Sequence, residues 1–279
     1  VGRAQEHVSA IPPAAGDRIW ADEAAYERYV GRWSRLVAAE FVAWLGVPGG
    51  ARWLDVACGT GAVTAAILTG TAPERVDAID RSERQLIGAR SLFDPRVTFA
   101  LGDARELGGD DRRYDAVVAG LAFPAVADPG TVLREFARVV REDGVVGVYV
   151  WDFDGEMQPL RIFWETATAA NPDADESDDD GSFAICSPAG LRAAFESAGL
   201  ADIAVGALDV TAHFADFDDY WTPFLSGDAP AQQHVQSLPA TARAELRELL
   251  HSRLPIAPDG SLDLRVRAWA GKGTKRTGP

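Results

Sequence analysis

The sequence predicts a doubly wound α/β fold: a mostly parallel seven-stranded sheet with helical cap and lid insertions. Short apolar runs alternate with helical segments through residues 48–155. The runs are continuously apolar, as strands covered on both faces are. A glycine turn, Gly59-Thr60-Gly61, joins the first run to a helix. With 279 residues, 47% of them hydrophobic and 25% charged, the chain can bury a core without disulfide or metal staples.

Residues 1–16 hold Pro12, Pro13 and small side chains without periodicity, which predicts a flexible tail. Over 17–47 apolar side chains recur at helical spacing (Trp20, Tyr26, Tyr29, Val30, Trp33, Val37, Phe41, Leu45), a helical cap ending near Gly46. The core, 48–155, reads as strands over 52–57, 75–79, 97–101, 114–119 and 145–151, with helices over 62–68, 83–91 and 129–140. An acidic insertion fills 156–188, and a closing helix (189–198) and strand (203–208) lie within 189–210. Residues 211–258, around FADFDDYW, read as a helical lid, and 259–279 as a final strand (262–269) with a tail. That strand alternates Leu262, Leu264, Val266, Ala268, as a less completely buried strand does.

Net charge is −15, and between 162 and 242 fourteen acids face the single base Arg192, so −13 of it lies there. A field of that sign repels polyphosphate, which disfavours nucleic acid and anionic membrane and favours a neutral or cationic small molecule. The longest apolar run, 145–151, is far short of the roughly 18–20 residues of a membrane helix. Two cysteines make no disulfide framework, and VGRAQEHVSAIPPAAG lacks the pattern of a signal peptide, so the expected compartment is the cytoplasm. The acidic run at 173–180 departs from a calcium loop, which wants Gly where Asp178 stands and a later Glu; it reads as a flexible loop, and no metal is expected.

The loop after the first strand, Asp55-Val-Ala-Cys-Gly59-Thr-Gly61, lets backbone pass close under a ligand and ends at a helix N-terminus with free N–H groups. Asp80, about 20 residues on at the end of the second strand, suits ribose hydroxyls. Asp103 of Gly102-Asp103-Ala104 can accept from an adenine amino group. A dinucleotide fingerprint would carry Gly or Ala where Thr64 stands, and Asp55 would repel a pyrophosphate while attracting an ammonium. Adenosine with an ammonium and no phosphate describes S-adenosylmethionine.

LDVACGTG, VDAIDRS, GDA and YDAVVAGLAFPAVADPGTVLREFARVVREDG together resemble the ordered motifs of class I S-adenosylmethionine-dependent methyltransferases, particularly the small-molecule subgroup, over roughly residues 50–152. The resemblance implies the Rossmann-like methyltransferase fold, S-adenosyl-L-methionine as cofactor and S-adenosyl-L-homocysteine as product. It implies Asp55, Gly59 and Gly61 at the methionine end, Asp80 at the ribose, and Asp103 with Ala104 at the adenine. Ala57 stands where the family often has a glycine, and Arg81 where it has an apolar residue, so that a guanidinium could stack on the base. Gly120 ends the fourth strand beside the same site, and Glu142-Asp143-Gly144 replaces the family's Pro-Gly-Gly as a turn variant.

Gly120-Leu-Ala-Phe123-Pro124 offers no acid, base or amide, and the Asn- or Asp-Pro-Pro-aromatic motif of amide-nitrogen methylation is absent. The expectation is methyl transfer to a small O, N or C nucleophile by positioning, with aromatic residues of the insertions both packing the lid and lining an apolar pocket. A base, if used, would come from His213, Tyr26 or Tyr29, or from Asp152 or Asp154. Plainer roles stand beside these: a half-buried loop histidine, tyrosines packing a helix, Asp55 satisfying loop N–H groups, Asp80 capping a helix, Cys58 filling a loop. A non-catalytic S-adenosylmethionine-binding protein and, less favoured, a nicotinamide-dependent reductase are the alternatives.

Overall fold

The computed structural model of the chain describes Tyr29 and residues 31–90, 94–108, 111–126, 128–153, 155–171 and 182–276. Tyr26, Asp154, the run at 173–180 and the tail at 1–16 lie outside the described residues. Seven strands form one sheet: β1 (Arg52–Val56), β2 (Arg75–Asp80), β3 (Val97–Leu101), β4 (Tyr114–Gly120), β5 (Val140–Trp151), β6 (Ala201–Phe214) and β7 (Leu262–Thr274). Their order is β3-β2-β1-β4-β5-β7-β6. The first five run parallel, and β7 lies antiparallel between β5 and β6. Chain order reverses between β1 and β4, and that switch point opens a crevice beyond the strand C-termini, where ligands of such sheets bind.

Helix α1 (Arg32–Leu45) buries Trp33, Val37, Phe41 and Leu45 along one stripe and ends at Gly46, whose φ of 69° is left-handed. Phe41 and Leu45 lie on Gly147 of β5; a Cβ there would stand 2.6 Å from Leu45. Lys272 of β7 donates to the carbonyls of Trp44 and Leu45 at 2.8 and 3.2 Å, satisfying acceptors that the helix end leaves unpaired. This side of the sheet also carries α2 (Ala62–Gly70). On the other side α4 (Pro129–Val139) and α6 (Pro188–Ser197) bring Val132, Leu133, Phe136, Leu191 and Phe195 into a second core. Helix α3 (Glu83–Ala89) follows β2, with Leu86 buried against Ala78 and Cys58.

The lid holds α5 (Gln158–Ala170), α7 (Phe217–Trp221), α8 (Pro230–Ser237) and α9 (Ala240–Arg253). Its aromatics form one cluster: Phe163 stacks on Phe224 with centroids 4.6 Å apart, and Phe224 meets Tyr29 and Tyr220 at 5.4 and 5.3 Å. Some buried polar groups there are satisfied locally, as in Tyr220 Oη donating to the Pro159 carbonyl at 2.9 Å, whereas Trp164 Nε1 is buried without a hydrogen-bond partner. Arg32 ties α1 to the lid through Asp219 at 2.9 Å and lies over the Phe214 ring. Among the described residues no helix is long and apolar enough to cross a membrane.

Several segments differ from the sequence expectation: the insertion at 156–188 holds helix α5, and β7 runs on to Thr274 instead of ending at 269. Strand β6 continues through Phe214 instead of ending at 208, because 209–214 pair with 262–267 of β7 as a two-stranded ribbon that buries Ala212 and Phe214 toward the lid. The acidic and aromatic composition of that stretch reads as insertion, while its pairing partner lies some fifty residues away, at Asp263 for His213. Glu142-Asp143-Gly144 is no turn between helix and strand: it lies within β5 as an irregularity, the register jumping from Tyr114 opposite Val140 to Ala116 opposite Val145, with Asp143 at φ 59°.

Candidate cofactor site

Strand β1 runs apolar through Leu54 and Val56 and carries one acid, Asp55, between Ala78 of β2 and Val118 of β4. Asp55 is fully buried. Its Oδ2 accepts from the Thr64 hydroxyl at 2.6 Å, whereas its Oδ1 has no hydrogen-bond partner. Burial pushes its pKa up to about 7, against the Thr64 hydroxyl and backbone N–H, which favour the charged form, while Asp80 adds a smaller upward push. A half-satisfied buried carboxylate at a strand C-terminus is costly, and a cationic partner would offset that cost.

The loop beyond it turns through three left-handed residues: Ala57 at φ 55°, Gly59 at 53° and Gly61 at 87°. Gly59 and Gly61 adopt this without strain; Ala57 does not, since left-handed backbone brings its Cβ against the next carbonyl. Gly61 precedes α2 with no side-chain cap, so that helix end retains donors for a ligand. Cys58 N–H anchors the loop to the Ile79 carbonyl at 2.9 Å. Burial pushes the Cys58 thiol well up, which suits a loop filler and no nucleophile.

Asp80 ties together the loops after β1 and β2: Oδ2 accepts from Gly59 N–H and Oδ1 from Ser82 N–H, both at 2.9 Å. The capping role considered for Asp80 belongs to Ser82, whose Oγ accepts from Gln85 N–H at 3.4 Å. Arg81, exposed, follows directly and its charge reaches Asp103 beyond β3. Asp103 is held by Arg105, whose hydrogen bonds draw the carboxyl down to about 2, and Ala104 packs against the second core. Asp55, Ala57, Gly59, Gly61, Asp80, Arg81, Asp103 and Ala104 thus fall on the ends of β1, β2 and β3 and the loops after them.

Gly120 has a different reason for being glycine. A Cβ there would stand 2.7 Å from the ring of Tyr149, the β5 residue opposite it. The missing side chain therefore makes room for protein. Tyr29 is buried in the lid cluster, its ring 5.4 Å from Phe224 and 6.5 Å from Trp33. His213 stands on the ribbon, with Nδ1 2.8 Å from Asp263 Oδ1 and both side chains 65% exposed. It lies five residues beyond the row that joins Trp151, Ala268 and Leu208, roughly 17 Å along the strand. Asp152 turns inward to accept from Glu156 N–H at 3.0 Å. Tyr29 thus lies in the lid cluster, His213 on the ribbon and Asp152 just after β5, and Thr64, which holds Asp55, was not read as a partner of it because threonine in a first helical turn carries no distinctive signal.

A methyltransferase domain family matches residues 54–144. Among curated proteins, 2-methyl-6-phytyl-1,4-hydroquinone methyltransferase of Synechocystis is 34% identical over 121 residues, 43% of this chain and 38% of that protein. Demethylmenaquinone methyltransferase of Clavibacter sepedonicus is 40% identical over 113 residues, 40% of this chain and 44% of its own. The chain therefore spans less than half the length of these relatives. Among solved structures, phosphoethanolamine N-methyltransferase 2 of Haemonchus contortus, with phosphomonomethylethanolamine and S-adenosylhomocysteine, superposes with a TM-score of 0.56 at 15% identity, covering 94% of this chain and 59% of that one. Residues 54–144 are thus a methyltransferase domain, the stretch that holds the loop after β1 and the ends of β2, β3 and β4.

Proposed function

We propose that the chain transfers a methyl group from S-adenosylmethionine to an O, N or C nucleophile of a small neutral or cationic molecule with an apolar or aromatic body, chiefly by proximity and orientation. The observation that carries this reading is Asp55, buried with one oxygen unpartnered beside a glycine loop. An ammonium fits that acceptor and a pyrophosphate does not, which favours this cofactor over a nicotinamide dinucleotide.

When bound, S-adenosylmethionine supplies an electrophilic methyl on a sulfonium, so the protein has only to align, dry and hold the reactants. In this reading Asp55 receives the ammonium and the turn through Ala57, Gly59 and Gly61 lets the methionine end approach the backbone. Asp80 takes ribose hydroxyls, while Asp103, Ala104 and Arg81 surround the base. Gly120 and Tyr149 close the floor beside β4. The lid aromatics exclude water, and the acidic surface of the insertions selects against anionic acceptors. The hydroquinone and menaquinone-series names of the curated relatives support a small acceptor with apolar character. Cys58 and Cys186 are buried thiols, which accords with a reducing cytoplasm. A non-catalytic cofactor-binding role is the second reading, supported by the packing of Tyr29 in the lid cluster and the pairing of His213 with Asp263.

Calorimetric titration with S-adenosylhomocysteine, with NADH as control, tests the cofactor. Micromolar binding of the former alone is expected; preference for NADH overturns the reading. Labelled methyl donor with a panel of phenols, quinols and amines then separates enzyme from binder, a product in any arm excluding the non-catalytic role.

A further inference from the structure

The proposed adenine acceptor, Asp103, is already engaged on both oxygens in this structure. A carboxylate offers about four lone-pair positions. Oδ1 accepts from Arg105 N–H at 2.9 Å and Nε at 3.0 Å; Oδ2 accepts from Nη2 at 2.6 Å and shares Nε at 3.3 Å. Three N–H groups of Arg105 thus cover both oxygens, the single Nε–H being shared between them, and an incoming donor finds about one lone-pair position left, on Oδ2. Yet the Arg105 side chain is 56% exposed, on a turn whose backbone is fixed independently by Glu106 N–H bonding to the Asp103 carbonyl at 3.1 Å. The guanidinium can swing into water without moving the loop, while the backbone N–H of Arg105 goes on orienting the carboxylate.

We infer that Arg105 sets nucleoside selectivity: it competes with the base for Asp103, so that a base carrying an exocyclic N–H donor must share the carboxylate with the guanidinium or displace it, whereas a base carrying a carbonyl there is served by the guanidinium in place. Arg105 therefore lowers affinity for the amino base and blunts discrimination against the oxo base. This deepens the proposed cofactor reading and rests on it. An exposed ion pair is weak, so the handicap is small and reversible, on the order of two- to fivefold.

The test compares binding of S-adenosyl-L-homocysteine and S-inosyl-L-homocysteine, in which the 6-amino group is replaced by a carbonyl and N1 gains a proton, to the wild type, Arg105→Gln and Asp103→Asn by calorimetry, with melting temperatures as a control for folding. Expected for Arg105→Gln is a preference for the adenosyl compound two- to fivefold above that of the wild type, through tighter adenosyl binding, weaker inosyl binding or both. An unchanged or reduced preference overturns the inference. If the first variant melts early, Arg105→Lys, which keeps the charge but not the fork, replaces it: a raised preference again supports the inference, and an unchanged or reduced one again overturns it. Asp103→Asn separates the layers: if it retains the wild-type preference, the adenine assignment itself fails, whereas loss of preference there with no change in Arg105→Gln sinks the role of Arg105 alone.

Discussion

The two ends of the sheet solve opposite problems. At β1 and β2 the chain keeps a buried acid half-satisfied, bends a loop through three left-handed residues and leaves an uncapped helix end. Around the lid it does the reverse: Phe163, Phe214, Tyr220 and Phe224 are buried against one another, and Tyr220, Gln232 and Asp219 bond within the lid or to its hinge on α1. Unsatisfied polar groups are costly unless a ligand completes them. The first region holds a buried carboxylate that a ligand can complete, whereas the second is held mainly by aromatic packing of its own side chains.

The largest effect should come from the lid. Phe224→Ala removes a ring stacked on Phe163 and is expected to cost about 3–5 kcal/mol by chemical denaturation. The Kd for S-adenosylhomocysteine, measured where the variant is folded, should stay within about twofold, since the mutation leaves the β1 loop intact; a tenfold loss would show the two regions to be one unit.

Asp55→Asn probes the other end. Burial raises Asp55 from 3.8 to about 7, so between those values the folded chain holds the extra proton. Stability should then fall as pH rises from about 4 to 7 and level off above, by roughly 4 kcal/mol at most. Melting curves across that range should lose this slope in Asp55→Asn, which should also be the more stable chain at pH 8. Its affinity for S-adenosylhomocysteine should drop more than about tenfold, an ammonium losing its charged partner. Stabilisation without loss of affinity would detach Asp55 from the ligand.

Smaller changes sharpen the contrast. Ala57→Gly relieves left-handed strain and should add up to about 1 kcal/mol, partly offset by the freer unfolded chain; a melting temperature that falls would mean the Ala57 methyl is held by contacts outweighing the strain. His213→Ala removes an exposed pair and should change stability by less than about 0.5 kcal/mol. Methyl transfer at an unchanged rate in that variant would end its candidacy as a base.

Much of the fold was legible because its signals are local. Continuous apolar runs separated by helical periods mark the parallel strands, and Asp55, the two glycines, Asp80 and Asp103 follow from their positions at strand ends. What was hidden depends on partners distant in sequence. Strand β6 extends to Phe214 only because 262–267 pair with it, and the irregularity at 142–144 exists only as a mismatch with β4. Gly120 reads as a ligand-facing glycine until Tyr149 is found beside it.

By itself the sequence determined the alternation of strand and helix, the loop after β1 and the types of charge placed around it, since these arise from spacing along the backbone. Only the tertiary structure decided how far each of those charges is already occupied. It set Thr64 on one oxygen of Asp55 and carried His213 out along a ribbon, while Arg105 reaches both oxygens of Asp103 from only two residues on. The physical reason is that a carboxylate's chemistry depends on its solvation and on how many of its lone pairs are occupied. Both are properties of neighbours that the fold brings together.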